Sequence, residues 1–83
     1  MFFALAHETR RHILLVLHAR GDAMTAGQLA DRFSCSWPTV TRHLQQLLAA
    51  QLINVERHGR ERRYTLNVDR LVAVTSLYLD AFA

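Results

Sequence analysis

The side chains best suited to chemistry in this sequence form one polar run, between Ser36 and Gln46. Apolar residues recur through the same stretch at helical spacing, which predicts a helix with one buried face lined by Val40, Leu44, Leu47 and Leu48. The residues between them should then point outward, and these are Thr39, Thr41, Arg42, His43, Gln45 and Gln46. Hydroxyl, amide, imidazole and guanidinium groups on the N-terminal half of a helix suit the edges of base pairs in the DNA major groove.

Several side chains in this run could each make a particular kind of contact with DNA. Gln46 can bridge an adenine and Arg42 a guanine, while Trp37 and the threonine methyls can lie against thymine methyl groups. The hydroxyls of Ser36 and Thr39, next to a helix N-terminus, suit a phosphate. Two alternatives stay open: Ser36 is only a helix cap, and Trp37 packs against the first helix.

Positive charge is concentrated within this helix and in the segment that follows it. The formal net charge is only +3 and all ten basic residues are arginine, but five of them fall between positions 42 and 63, where the only acids are Glu56 and Glu61. A local basic patch on a near-neutral body favours a polyanionic partner, with nucleic acid preferred over a membrane surface. We expect phosphate or minor-groove contacts from Arg57, Arg60 and Arg62, with Arg63 turned elsewhere by strand alternation.

Composition excludes several classes of protein. The 83 residues, 51% of them hydrophobic, predict one globular domain over positions 1–83 with apolar surface to spare for a subunit interface. The single cysteine cannot form an internal disulfide, the first residues do not resemble a secretory signal, and the longest apolar run is too short to span a bilayer. We therefore expect a cytoplasmic protein. With no glycine-rich phosphate loop and no nucleophile–base spacing, it is not expected to be an enzyme.

The elements that must position these side chains follow from caps and periodicity. A helical stub over Phe2–Ala6 precedes a helix capped by Thr9 that ends near Gly21. Thr25 and Gln28 form a capping box for a third helix, which a turn at Ser34–Ser36 joins to the polar helix. Alternating runs on either side of the tip at 58–61 predict a β-hairpin, and Asp69 should cap the last helix. The predicted fold is mostly α with a small hairpin, in the order α-α-α-α-β-β-α, a winged helix-turn-helix.

The last helix carries a broad apolar stripe at i, i+3, i+4, i+7 and i+11 spacing. Little chain remains to cover it, so we interpret the termini, residues 1–19 and 69–83, as the surface through which two copies pair. The interface residues expected are Phe2, Phe3, Leu71, Val74, Tyr78 and Phe82. In the alternative interpretation the stripe folds back on the chain's own core.

Three segments resemble the ArsR/SmtB family of small dimeric bacterial repressors: Ala4-Leu-Ala-His-Glu-Thr-Arg-Arg-His-Ile13, Ser36-Trp-Pro-Thr-Val-Thr-Arg-His-Leu44 and Arg57-His-Gly-Arg-Glu-Arg-Arg-Tyr64. The second is close to the family pattern Ser-x-Pro-Thr-Val-Ser-x-His-Leu. The resemblance covers almost the whole chain. It implies a homodimer paired through the first and last helices, with its recognition helices in successive major grooves of a palindromic operator and with a signal that releases it.

The sequence also departs from that family. Ser34 and Gln51 stand where the family usually has glycine, so either the local geometry differs or stability is given up. The cysteine pair of thiolate sensors and the last-helix histidines of other metal sensors are absent, so we expect no metal site and no cofactor, and the effector stays unknown.

Two other functions remain open from the sequence. One is a thiol-based redox regulator acting through Cys35, although burial of that residue as a small hydrophobe is the simpler interpretation. The other is a winged helix that binds an acidic protein partner instead of DNA.

Overall fold

A computed structural model describes residues 2–82, without the side chain of Phe2, so that residue's predicted interface role lies outside the described residues. The order of elements is α1 (Phe2–Leu5), α2 (Glu8–Arg20), β1 (Met24–Thr25), α3 (Ala26–Phe33), α4 (Trp37–Ala49), β2 (Ile53–His58), β3 (Glu61–Leu66) and α5 (Val68–Asp80). The predicted helices and hairpin are confirmed. The short strand β1 was not predicted, and it makes the hairpin a three-stranded antiparallel sheet in the order β1-β3-β2.

Local side chains set where the helices begin. Thr25 and Gln28 form the predicted capping box, and Ser36 caps α4 as predicted, with Pro38 in the first turn. The predicted caps of α2 and α5 are wrong. His7 caps α2, because its ring Nδ1 accepts a hydrogen bond from the backbone N–H of Thr9, and Asn67 rather than Asp69 caps α5.

Two helices end on residues that are not glycine but adopt the left-handed conformation. Ser34 ends α3 at φ 53°, and Gln51 follows α4 at φ 62°. Beyond α4, the N–H of Gln51 donates to Leu48 and the N–H of Leu52 to Leu47, the two hydrogen bonds of a Schellman motif. The geometry usual for glycine is therefore kept at these two positions, and some stability is given up.

The hydrophobic core lies where α2, α3 and α4 meet the sheet. Its largest fully buried side chains are Ile13, Leu29, Val40, Leu44, Leu47 and Leu52. Tyr64 of β3 is buried against the same cluster. This core anchors both the polar helix α4 and the base of the hairpin, so it fixes the two parts of the chain that carry the candidate site.

Helix α5 contributes to the core along one edge only. Val74 is buried and Leu71 is partly buried, whereas most of the helix's other large apolar side chains are exposed. None of the helices described for residues 2–82 is both long enough and apolar enough to cross a bilayer.

Candidate nucleic-acid interface

Helix α4 separates an apolar face from a polar one. Val40, Leu44 and Leu47 are completely buried, as their spacing predicted. Trp37, Arg42 and Gln45 are exposed, and Thr39, Thr41 and Gln46 are partly exposed. All but one of the predicted recognition side chains therefore keep accessible polar surface on one helix.

His43 is the exception, and its predicted outward orientation is wrong. Its side chain is buried, at 9% exposure, and its Nδ1 lies 3.3 Å from a guanidinium nitrogen of Arg10 in α2. The physical reason is helical spacing: His43 is three residues after Val40 and four before Leu47, so it lies on the buried stripe. His43 therefore cannot read a base edge in this arrangement.

Trp37 stands at the first position of α4 with 63% of its surface exposed. One edge of its indole lies over Gly27 of α3, so close that a Cβ added to Gly27 would lie 2.7 Å from Cζ2 of the ring. The ring is thus packed against α3 on one side, and most of its surface is open to solvent. This arrangement keeps Trp37 available as a contact residue.

Ser36 and Thr39 form a small hydroxyl cluster at the start of α4. The Ser36 hydroxyl donates to the Thr39 hydroxyl at 2.9 Å, and Ser36 Oγ also accepts a long hydrogen bond from the backbone N–H of Thr39 at 3.4 Å. Ser36 is therefore a cap. Its exposed position at a helix N-terminus, where unpaired N–H groups and the positive end of the dipole meet, is also compatible with a phosphate.

The hairpin projects two chemically different faces. In the register of β2 and β3, Arg57 pairs with Arg62, and Glu56 pairs with Arg63. Because side chains alternate along a strand, Arg57 and Arg62 share one face, and Arg63 lies on the other. Arg60 follows Gly59 in the two-residue turn, where Gly59 has the positive φ of 65° that such turns favour.

The acids of the hairpin lie on the face away from Arg57 and Arg62. Arg63 forms an ion pair with Glu61 at 3.3 Å, and His58 lies 3.2 Å from Glu56. Within residues 2–82, Arg57, Arg60 and Arg62 form no ion pair and are exposed. Like charges directly opposite each other weaken a strand pair. A bound anion would therefore reduce the repulsion between Arg57 and Arg62.

Only some of the residues predicted to form the dimer interface are exposed. Phe3, Tyr78 and Phe82 are exposed, at 69%, 49% and 74%, and the rings of Tyr78 and Phe82 meet edge to face. Val74 is already buried within the chain, and Leu71 packs on the core, so both have little surface left for a partner. Other exposed apolar residues within the predicted termini are Leu15, Val72, Leu77 and Leu79, and exposed Val68 lies just before the predicted range 69–83.

The remaining candidate chemistry is sparse in the part of the chain that is described. No group of three or more His, Cys, Asp or Glu side chains there is arranged to hold a metal ion. Cys35 is partly buried in the turn before α4, where its thiol donates a weak hydrogen bond to the carbonyl of Phe33 at 3.4 Å.

Arg10 is a residue that the sequence interpretation missed. It is 7% exposed, and its guanidinium contacts both α1 and His43 of α4. The signal was present in the sequence, because Arg10 lies three and four residues before Ile13 and Leu14 on the buried stripe of α2.

A helix-turn-helix whose second helix presents a polar face, followed by a basic two-stranded hairpin, defines the winged helix-turn-helix class of DNA-binding domains. Residues 5–56 match the family model described as a helix-turn-helix domain. The chain is 40% identical over 67 residues to the transcriptional repressor SdpR of Bacillus subtilis (strain 168), covering 81% of this chain and 72% of that protein.

Solved structures agree with this match. A crystal structure of an ArsR family transcriptional regulator superimposes with a TM-score of 0.81 at 30% identity, over 96% of this chain and 80% of that one. The homodimeric winged helix-turn-helix DNA-binding domain of Mb0332 from Mycobacterium bovis gives a TM-score of 0.73 at 26% identity, over 93% and 72%. The chain belongs to the ArsR family of winged helix-turn-helix transcriptional regulators. It is a DNA-binding repressor of that type, and these relatives are transcriptional regulators rather than enzymes.

Proposed function

We propose that this repressor binds, as a homodimer in the cytoplasm, a roughly palindromic operator whose half-sites lie about one helical turn apart. Base edges are read by Trp37, Thr39, Thr41, Arg42 and Gln46. Ser36, Arg57, Arg60 and Arg62 hold the phosphate backbone or the minor groove beside each half-site. His43 is removed from the set of base-contacting residues.

The observation that carries this proposal is the polar face of α4. The accessible side chains proposed to read bases supply one guanidinium, the amide of Gln46, two threonine methyls and an indole, which together offer both hydrogen bonds and apolar contacts to base edges. A helix that served only to pack against the core would not require these side chains on its exposed face. Trp37 has a further advantage because its contact with Gly27 restricts the ring before DNA arrives.

The basic face of the hairpin supports the same function. Arg57, Arg60 and Arg62 are exposed and unneutralised within the described residues, whereas Arg63 is engaged with Glu61. Three free guanidinium groups on one projection favour a polyanion over a mixed-charge protein surface. Dimerisation is supported by the exposed apolar side chains of α5 and by the homodimeric state of the Mb0332 domain.

The test is selection of bound sites from a pool of random duplex DNA at physiological salt. We expect an enriched motif with two inverted half-sites whose centres are roughly 10 base pairs apart. A Gln46→Ala variant should relax the preference at one position of each half-site, whereas Gln45→Ala serves as a neighbouring control on the same helix. Enrichment of an unpaired or direct-repeat motif would contradict the palindromic arrangement.

A second outcome would contradict sequence-specific DNA binding itself. If the protein binds all duplexes equally and weakly, it does not read DNA sequence, and an acidic protein partner for the hairpin becomes the better explanation.

A further inference from the structure

Arg10 is a buried arginine without a carboxylate partner among residues 2–82. Its Nε donates to the carbonyl of Ala4 at 2.8 Å, and one terminal nitrogen donates to the carbonyl of Phe3 at 2.9 Å. The guanidinium carbon also lies 5.2 Å from the centre of the Phe3 ring, within the range of a cation–π contact. Arg10 therefore satisfies the C-terminal carbonyls of α1, where a positive charge is also favourable to the helix dipole.

The other terminal nitrogen of Arg10 contacts the recognition helix. It lies 3.3 Å from Nδ1 of His43, and because a guanidinium can only donate, that ring nitrogen must be the acceptor. His43 is then the neutral tautomer with its proton on Nε2. Burial lowers the pKa of His43 below 6.5, and the nearby charges of His7, Arg10 and Arg42 lower it further, which keeps the acceptor form present at neutral pH.

One side chain thus joins the N-terminal helix to the helix that reads DNA. Arg10, His43 and Ala4 are all buried at this junction, and His7 adds a ring contact to His43 at 4.6 Å between centroids. We propose that Arg10 is a positioning residue for DNA recognition, whose guanidinium fixes α4 relative to α1 through His43. This inference rests on the proposed function of α4 as the reading helix, and it links the reading helix to the exposed ring of Phe3 on the proposed dimer surface.

A purely structural role can be separated from this one because the chain contains a matched residue. Arg11 also donates to α1, to the carbonyl of Leu5 at 2.7 Å, but it is exposed and contacts no residue of α4 in the described hydrogen bonds. Loss of either arginine should loosen α1. Only loss of Arg10 should also change the orientation of α4.

The experiment compares Arg10→Gln with Arg11→Gln, using the operator obtained by selection and an unrelated duplex, at a temperature at which circular dichroism shows each variant folded. We expect Arg10→Gln to lower the ratio of operator to unrelated-duplex affinity by roughly tenfold, because a misplaced helix loses base contacts but keeps phosphate contacts. Arg11→Gln should leave the ratio unchanged. Equal ratios in the two variants would overturn the proposal.

Variants of His43 keep the test decisive if Arg10→Gln does not fold. His43→Gln retains an acceptor for Arg10 and should keep the wild-type ratio, whereas His43→Leu removes the acceptor and should lower it. Where all variants fold, the losses from Arg10→Gln and His43→Leu should not multiply in the double variant, because both break the same contact. A wild-type ratio in His43→Leu, or losses that multiply, would contradict the proposal.

A measurement without DNA distinguishes failure of this inference from failure of the proposed function. If no duplex is preferred by the wild type, the proposed function fails, and the NMR titration of the His43 ring then decides the role of Arg10 in holding α4. The pKa of His43 should rise in Arg10→Gln, because a positive neighbour is lost, and should stay in place in Arg11→Gln. An unchanged titration in Arg10→Gln would show that the contact does not hold His43.

The same contact predicts a pH dependence of sequence recognition. Protonation of His43 puts a proton on Nδ1, which removes the acceptor and sets a cation against Arg10, with His7 and Arg42 nearby. Because the pKa of His43 lies below 6.5, the operator-to-unrelated ratio of the wild type should hold at neutral pH and fall as the pH drops below 6.5, whereas that of His43→Gln should stay flat. Taking the ratio cancels any change in affinity that is the same for all duplexes, and parallel profiles for the two proteins would contradict the proposal.

Discussion

Gln51 ends helix α4 in a backbone conformation that is strained for a residue with a Cβ. Its φ of 62° is needed for the Schellman motif that ends α4, and its backbone is committed on both sides: its N–H donates to Leu48, and its carbonyl accepts from the Asn67 side chain at 3.0 Å. The side chain itself is exposed. Only the backbone of Gln51 is therefore needed at this position, and a residue with a Cβ is strained there.

We expect Gln51→Gly to stabilise the protein, by about 0.5–1 kcal/mol, because glycine adopts this conformation without strain and keeps both backbone hydrogen bonds. The measurement is the urea midpoint at fixed protein concentration, with an unchanged slope. Gln45→Gly is the matched control, since the same substitution inside α4 should destabilise by about 1 kcal/mol. A lower midpoint for Gln51→Gly would show that its side chain does more than the structure indicates.

The sequence predicted two helix caps correctly and the orientation of one side chain of the recognition helix wrongly. The caps at Thr25 and Ser36 were predictable because their signals are local: a hydroxyl three residues before the backbone N–H that it satisfies. The orientation of His43 was predicted wrongly although its spacing places it on the buried stripe, because its polar character was given more weight than that spacing. Its partner Arg10 is 33 residues away in the chain, and no local pattern shows that pairing.

At the scale of elements, the hairpin separates its charged side chains by face, with Arg57 and Arg62 on one face and the two acids on the other. The facing pair Arg57 and Arg62 weakens the sheet in isolation, whereas the opposite face is neutralised by Glu56 and Glu61. Strand alternation made this separation of faces predictable once the register was centred on the turn at Gly59. The two-residue strand β1 was not predictable, because Met24 and Thr25 pair with β3 through the tertiary fold rather than through any run of their own.

Removal of hairpin arginines should change the salt dependence of DNA binding. Arg60→Ala and Arg62→Ala should each weaken binding to every duplex. Each should reduce the slope of log K against log salt by about 2 for the homodimer, because one phosphate contact, which contributes about 1, is lost in each subunit. The measurement is binding between roughly 50 and 200 mM salt. Arg63→Ala is the control, because Arg63 lies on the other face and pairs with Glu61, so its slope should match the wild type.

If the slope is unchanged in both Arg60→Ala and Arg62→Ala, the hairpin does not contact phosphate. A reduced slope in Arg63→Ala as well would mean that both faces of the hairpin contact phosphate.

At the scale of the whole molecule, the isolated chain has more surface than a compact protein of its size. Its accessible area is 5662 Å², against about 5,000 Å² expected for a chain of this mass. Its extents are 44 × 22 × 22 Å, and its radius of gyration is 13.0 Å, compared with about 12 Å for a compact domain of this length. Such an elongated chain with exposed apolar side chains fits one half of a dimer.

The exposed apolar residues of α5 do not all lie on one side. Val68, Val72 and Leu79 follow one stripe, and the first two line an apolar groove of about 440 Å³ with Leu14 and Leu15 of α2. Leu77 is just as exposed, at 72% against 60% for Leu79, but the helical repeat places it on nearly the opposite side. The helix therefore offers two leucines of similar exposure, only one of which lies on the stripe that lines the groove with α2, and we expect the partner subunit to cover that stripe.

We expect Leu79→Glu to convert the protein to a monomer at micromolar concentration, because a carboxylate on the stripe would have to be buried without a partner. Leu77→Glu should remain dimeric. The measurement is sedimentation equilibrium, followed by binding to the whole operator and to one half-site. The Leu79→Glu monomer should bind the half-site as the wild-type subunit does and lose the gain in affinity that comes from joining two reading helices. If instead Leu77→Glu dissociates and Leu79→Glu does not, the partner covers the other side of α5, and the groove between α2 and α5 is not the dimer interface.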